Sequence, residues 1–307
     1  MSHSTEHIDN TRTVEPSNLS PDPNSNPRFK NSKIVYRKLK KNKSAMIGGF
    51  FIFFIIIVAI IGPYLTPYAP DTQNLVNKLQ TPSGDHWFGT DNFGRDIFSR
   101  VIHGTGLTLL VGFFSVLLGA TIGILLGIIG GYYGGRTDSI IMRFMDILLA
   151  FPGILLALAI VTVLGGSLVN VIIAVAISSI PVFARIVRGS TLSVKKLEYI
   201  DAMKALGASD TRIIFKHIFP NITSPIIVQA TLNIATAILS ASGLSFLGLG
   251  AQPPTPEWGA MLSDGRNFLY NAPHVALFPG LAIVVVVLAF NMLGDGLRDA
   301  FDPKTKE

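Results

Sequence analysis

Residues Phe50–Gly62 read FFIFFIIIVAIIG, a run without one charged or hydrogen-bonding side chain. No water-soluble core needs so continuous an apolar cylinder. Extended to Ala45–Leu65 it is long enough, at about 1.5 Å per residue, to cross roughly 30 Å of hydrocarbon. Five further windows have the same character: Leu107–Ile129, Phe144–Leu164, Leu168–Val187, Ile222–Leu247 and Val275–Leu297. In lipid the backbone must satisfy its own hydrogen bonds, so these runs predict an all-α membrane protein with six transmembrane helices. An even number of crossings puts both termini on one side and the polar segments Thr66–Gly106 and Gly248–His274 on the other.

The cations choose the side. Of 25 Lys and Arg, nine precede the first span, Arg136 and Arg143 follow the second, seven lie between Arg185 and Lys216, and Arg298, Lys304 and Lys306 close the chain. Only Lys78, Arg95, Arg100 and Arg266 fall on the opposite face. The positive-inside bias therefore predicts cytoplasmic N- and C-termini of a multi-pass protein in the cell membrane. The formal charge of +6 is explained by this orientation and needs no nucleic-acid partner. The chain divides into a basic cytoplasmic tail (1–44), a first transmembrane helix (45–65), an extracytoplasmic segment (66–106), a core of five transmembrane helices (107–298) carrying a cytoplasmic loop at 188–221, and a short cytoplasmic tail (299–307). Up to residue 29 the tail is Ser-, Asn-, Pro- and Thr-rich and is expected to be disordered. Phe29–Lys43, where apolar residues interrupt cations, is either a short helix on the anionic inner leaflet or a stop-transfer flank.

The spans differ in what they offer a neighbour. The first is aromatic and β-branched, which suits a peripheral, lipid-facing helix. The second repeats Ser115, Gly119, Gly123, Gly127 and Gly131, a small-residue strip that lets another helix approach closely, within the chain or across a subunit interface. No Asp, Glu, Lys, Arg or His lies near the middle of any span, which argues against ion-coupled carriers and charged pores. Gln229 and Asn233 are the deepest strong polar side chains and either line a pathway or bond to a neighbouring helix.

Enzyme chemistry finds no purchase. There is no G-x-x-x-x-G-K-[ST] loop to cradle ATP, no H-E-x-x-H pair or other metal-ligand spacing among the six histidines, and no cysteine. Gly243–Gly248 is one residue too long for a G-x-S-x-G elbow. No catalytic residue, metal site or bound cofactor is expected.

What remains is Glu198–Asn221, EYIDAMKALGASDTRIIFKHIFPN. Glu198–Leu206 is a helix-forming run broken at Gly207; Ser209 or Asp210 then starts a second short helix expected to end at Pro220. A plain connection between antiparallel spans needs only a few residues. This one keeps Tyr199, Ile200, Met203, Leu206, Ile214, Phe215 and Phe219 available, either for a partner's groove or for the chain's own helix ends.

At these residues the sequence resembles the E-A-A-x3-G-x9-I-x-L-P motif of binding-protein-dependent ABC importer permeases, read here as Asp201-Ala202-Met203, Gly207 and His217-Ile218-Phe219-Pro220. Asp replaces Glu, Met the second Ala, His the Ile and Phe the Leu. His86–Gly112 is similar to the FGTDxxGRDxxSR signature of the dipeptide/oligopeptide/nickel family, and Gly131–Pro152, Leu244–Leu262 and Asn291–Pro303 resemble later motifs of its C-type subunit. Ala241 stands where many relatives carry Glu. The wording is most similar to glutathione and dipeptide permeases.

The resemblance implies a type I importer permease core with one extra N-terminal helix. It implies a second homologous permease, two ATP-binding subunits that use the ATP and Mg, and an extracytoplasmic solute-binding protein. Glu198, Tyr199, Asp201, Ala202, Met203, Leu206, Gly207, Ala208, Phe219 and Pro220 would form the ATPase-coupling surface. Asp201 would either pair with an ATPase cation or cap its own helix. On the outer face Asp91, Arg95, Asp96 and Arg100 would form an ion-paired cluster that holds its loop or meets the binding protein, and Trp258, after Pro253, Pro254 and Pro256, would be an interfacial anchor. The implied activity is import of di- or oligopeptides, glutathione included. A nickel or metallophore importer of the same family, and a membrane scaffold or receptor, are the alternatives.

Overall fold

The computed structural model describes residues 37–302. The expected disorder of the first 29 residues lies outside that range, as does the end of the C-terminal tail. Of the expected inner-leaflet helix, residues 37–41 are helical. Among the described residues the chain is helical, with one isolated bridge, Thr90 to Asp96, in place of a sheet. The helices are α1 (Lys43–Leu65), α2 (Ile97–Tyr133), α3 (Gly135–Leu149), α4 (Gly153–Leu164), α5 (Leu168–Lys195), α6 (Glu198–Ala205), α7 (Asp210–Phe246), α8 (Trp258–Gly265) and α9 (His274–Phe301).

Five of these, α1, α2, α5, α7 and α9, are long and apolar enough to cross a membrane. The expected straight span Phe144–Leu164 is instead two helices, α3 and α4, bent by 87° at a break before Gly153. Pro152 is the reason. It lacks an N–H and crowds the residue before it out of the helical region, so α3 stops at Leu149 and α4 restarts after Pro152, which stands at its N-cap.

Helix α2 also differs from expectation. It begins at Ile97, ten residues earlier than the apolar window, because Asp96 caps it: Oδ2 accepts from the Ser99 N–H and Oγ, both at 2.7 Å. Its 37 residues span about 55 Å, well beyond the hydrocarbon. The last ten residues of the expected 66–106 segment are therefore its first turns.

The small-residue strip of α2 meshes with α5 inside the chain. A Cβ on Gly123 would lie 2.6 Å from Phe183 Cβ and 2.7 Å from the Ile180 carbonyl oxygen, and one on Gly127 would lie 2.6 Å from the Ala184 oxygen. Hydrogen atoms in place of methyls let the two backbones touch, which maximises dispersion where no hydrophobic effect operates. Val161 of α4, Val171 and Phe183 of α5, and Ala237, Ala241 and Leu244 of α7 complete the central core. Helix α1 leans on α9 through Gly48 and Gly296, and turns Phe50, Phe53 and Ile60 outward.

Two ends result. One, the basic end, joins the start of α1 to the end of α9, where Asn42 Nδ2 donates to Asp299 Oδ2 at 3.1 Å, and holds α6 against the ends of α2 and α5. The other, the loop end, gathers the 66–96 segment, α8 and the start of α9, with His274 Nε2 3.3 Å from the Thr90 carbonyl oxygen.

Candidate functional site

At the basic end, α6 has Glu198 and Asp201 in its first turn and Lys204 in its last, signs that complement the helix dipole. Its N-cap, Leu197, receives no side-chain hydrogen bond, so Asp201 does not cap the helix. Its carboxylate, 71% exposed, meets Lys204 Nζ at 3.5 Å, a surface pair that contributes little.

The chain reverses at Gly207, φ +78°. Gly207 N–H donates to the Lys204 oxygen at 2.9 Å and Ala208 N–H to the Met203 oxygen at 3.0 Å, the paired bonds of a Schellman ending. Open space surrounds the position of a Cβ there, so the demand for glycine is set by the backbone angle alone.

The second short helix does not end at Pro220. It continues as α7 through one widened turn, Ile214–Ile218, where Phe219 N–H reaches back to the Ile214 oxygen. Widening that turn draws the preceding carbonyls away from the Pro220 ring, whose clash would otherwise break the helix. The module is thus the beginning of a transmembrane helix, and a push on it is a push on α7.

Burial splits the segment into two faces. Ile200, Ile213, Ile218 and Ile222 are fully buried against Ile128, Tyr132 and Val187, with Met203, Ala208 and Ile214 partly buried beside them. Leu206 is 86% and Phe215 67% exposed; Tyr199 and Phe219 are also on the surface, as are Glu198, Asp201 and Ala202. Of the residues expected to form one docking surface, Met203 and Ala208 therefore turn towards the bundle, Pro220 is half-buried and the others are exposed. Tyr199 is steadied by Asn221 Nδ2, which donates to its hydroxyl at 3.3 Å.

Gln229, one helical turn from Asn233, lines a cavity of about 480 Å³ with Ser224, Leu232, Arg298 and Asp302. Asn233 does not reach that cavity's wall; its amide nitrogen is buried without a hydrogen-bond partner among the described residues.

At the loop end, Asp91, Arg95 and Arg100 come together while Asp96 turns elsewhere. Arg95 Nε donates to Asp91 Oδ2 at 2.6 Å, and Arg100 Nε lies 3.7 Å from the same oxygen. All three are buried. Arg100 also donates to the Pro70 and Pro254 oxygens at 2.9 and 3.2 Å, and Arg95 reaches Asp264 at 3.4 Å. Asp96 accepts from the start of α2 and pairs with His86 Nδ1 at 2.9 Å. Trp258 is not a surface anchor: it is buried, and its indole N–H donates to the Val101 oxygen at 2.9 Å.

Two carboxyls here, the buried Glu257 and the half-buried Asp264, were not singled out from the sequence. Glu257 accepts from the Gly259 and Ala260 N–H groups at 3.0 and 2.9 Å, capping α8; burial nonetheless pushes its carboxyl above the ordinary range. Asp264 is raised by burial as well, against the opposing pull of Arg95 and Arg100. For Glu257 the cue was its place immediately before the Trp-Gly-Ala-Met run; for Asp264 there was none. Among the described residues no three His, Asp or Glu side chains are placed to hold a metal ion.

The profile described as "Binding-protein-dependent transport system inner membrane component" matches residues 123–307, and that of the "N-terminal TM domain of oligopeptide transport permease C" matches residues 32–82. The chain is 53% identical over 294 residues to the dipeptide transport system permease protein DppC of Alkalihalophilus pseudofirmus, covering 94% of this chain and 97% of that one. It is 52% identical over 272 residues to the glutathione transport system permease protein GsiD of Pectobacterium atrosepticum, covering 88% and 90%. Among solved structures, the inward-facing MetNI methionine ABC transporter aligns with a TM-score of 0.54 at 21% identity, over 66% of this chain and 97% of that one; this likeness concerns the fold.

Proposed function

Because the chain belongs to the family of binding-protein-dependent transport system inner membrane components, we propose that it is the permease subunit that couples ATP hydrolysis on a partner to import of small peptides. Dipeptides and glutathione are the substrates named for its relatives, and the absence of charged residues at mid-span argues against an ion-coupled carrier. In this reading both termini are cytoplasmic, which the Lys and Arg distribution supports. The basic end carries the ATP-binding subunits, a second homologous permease completes the pathway, and the loop end receives a solute-binding protein. ATP and Mg are handled by the partner.

The two-faced module is the observation that carries this reading. Buried isoleucines tie α6 to α2 and α5, and the reversal at Gly207 presents Leu206 and Phe215 to the cytoplasm. Exposed apolar side chains on a short helix fit a groove on a soluble partner. Since the part of the module that carries Phe215 is itself the start of α7, closure of the ATPases would move α7 and favour one of two packings of the bundle, exposing the pathway to alternate sides.

The test is ATP-dependent dipeptide uptake by the reconstituted four-subunit complex with its binding protein. Gly207→Pro, which removes an N–H donor of the reversal, should abolish uptake, and replacing Asp201–Met203 should impair it. Undiminished uptake by both would overturn the coupling role. ATP turnover with no solute entry in the parent complex would favour a receptor instead.

A further inference from the structure

Tyr132 ties the module to the bundle by directed bonds rather than by apolar contact alone. Although it lies at the end of α2, beside an exposed Tyr133, it is only 4% exposed. Its hydroxyl donates to Asp210 Oδ1 at 2.6 Å, and Asp210 is the first residue of α7. Lys195, in the last turn of α5, donates to the Tyr132 carbonyl oxygen and sets its ammonium 5.6 Å from the ring centroid. Lys204, in the last turn of α6, lies 6.0 Å from the same ring. One residue therefore ties the end of its own helix, α2, to the ends of three others.

The isoleucine cluster around it gives the module affinity for the bundle but little angular definition, because burial is non-directional. A hydroxyl–carboxylate bond and two cations over a ring are directional. Between α6 and α7 lie only Leu206–Ser209, with the reversal at Gly207, a connection able to absorb displacement. We infer that Tyr132 is a positioning residue for coupling: through Asp210, Lys195 and Lys204 it holds α6 and α7 at a set angle to α2 and α5, so that movement imposed at the docking face reaches the bundle. This inference rests on the docking role proposed above.

The chain has no cysteine, so Ala205→Cys, on the exposed side of α6, supplies a single thiol whose protection from maleimide reports docking of the ATPases. In the reconstituted complex, Tyr132→Phe should hydrolyse ATP within about twofold of the parent and keep that thiol protected. It should lose about tenfold in dipeptide taken up per ATP, the scale of one hydrogen bond to a charged acceptor. Asp210→Ala should repeat the loss, and Asp210→Asn, which retains an acceptor, should recover most of it. Unchanged uptake per ATP in Tyr132→Phe overturns the inference, and so does loss of thiol protection, which would make Tyr132 part of the docking surface itself. Leu206→Asp is the separate control. If it leaves both protection and uptake intact, the docking role fails; if it abolishes protection while Tyr132→Phe changes nothing, docking stands and the positioning role falls.

Discussion

Ile200, in α6, and Leu206, the residue that caps its end, face opposite ways: Ile200 is fully buried against the ends of α2 and α5, and Leu206 is 86% exposed. The segment is thus anchored by apolar contact on one side and open on the other.

Substitutions on the two faces should therefore separate. Leu206→Asp is expected to leave thermal unfolding of the isolated permease nearly unchanged and to weaken ATPase binding by about tenfold or more, as removal of an exposed anchor does. Ile200→Asp buries an unpaired charge and should displace the module, seen as rapid proteolysis at the basic end. Equal behaviour of the two variants in both assays would contradict the two-faced arrangement.

The contact between α2 and α5 leaves no room for a side chain. Gly123→Val should cost roughly 1–3 kcal/mol through overpacking against Phe183 and the Ile180 carbonyl, measured as a lowered midpoint of thermal unfolding in detergent. Gly153→Ala, at a position with nothing within 4 Å of the added methyl, should stay within about 0.5 kcal/mol. Comparable losses at both sites would mean that crowding is not the cause.

At the loop end Asp91 accepts from Arg95 Nε and from the Phe93 and Arg95 N–H groups, the latter two at 2.9 Å. Asp91→Asn leaves two buried guanidinium groups without their shared carboxylate and should destabilise by about 3–5 kcal/mol. The double variant Asp91→Asn/Arg95→Gln should lose less than the sum of the single losses. Strict additivity would show that the groups do not act as one network.

Glu257 gives the loop end a pH dependence of definite sign. Because burial raises its carboxyl above the ordinary range, the folded state holds this proton more tightly than the unfolded chain does. The contribution to stability is therefore complete below the ordinary carboxylate range and declines as pH rises from there to the raised value. Asp264, raised for the same reason, adds a slope of the same sign. Glu257→Gln should flatten the fall in unfolding midpoint across this window; a slope identical to the parent's would remove Glu257 as its source.

The segment around Pro220 shows why pattern reading stopped where it did. Proline ordinarily ends a helix, and a stop there was expected; the five-residue turn Ile214–Ile218 removes the clash, and α7 runs on. Pro152 follows the rule and breaks the third span by 87°. The same residue type thus acts oppositely at two sites, because a widened turn precedes Pro220 whereas the helix before Pro152 has already ended at Leu149. Trp258 was misplaced for a related reason. Its amphipathic ring suits an interface, but the Val101 carbonyl gives its indole N–H a partner inside.

From the residues alone came the apolar spans, an expected orientation by charge, the close-packing strip on α2 and the position of the module, since each depends on local composition or on a short-range period. Tertiary structure alone decided that the strip closes on α5, that Met203 and Ala208 turn inward while Leu206 and Phe215 turn out, and that Asp91 serves Arg95 and Arg100 while Asp96 serves His86. Those choices depend on which helix ends meet in space. In lipid, where apolar residues cover both the buried and the exposed faces of a helix, a sequence marks the helix but not which side its neighbour takes.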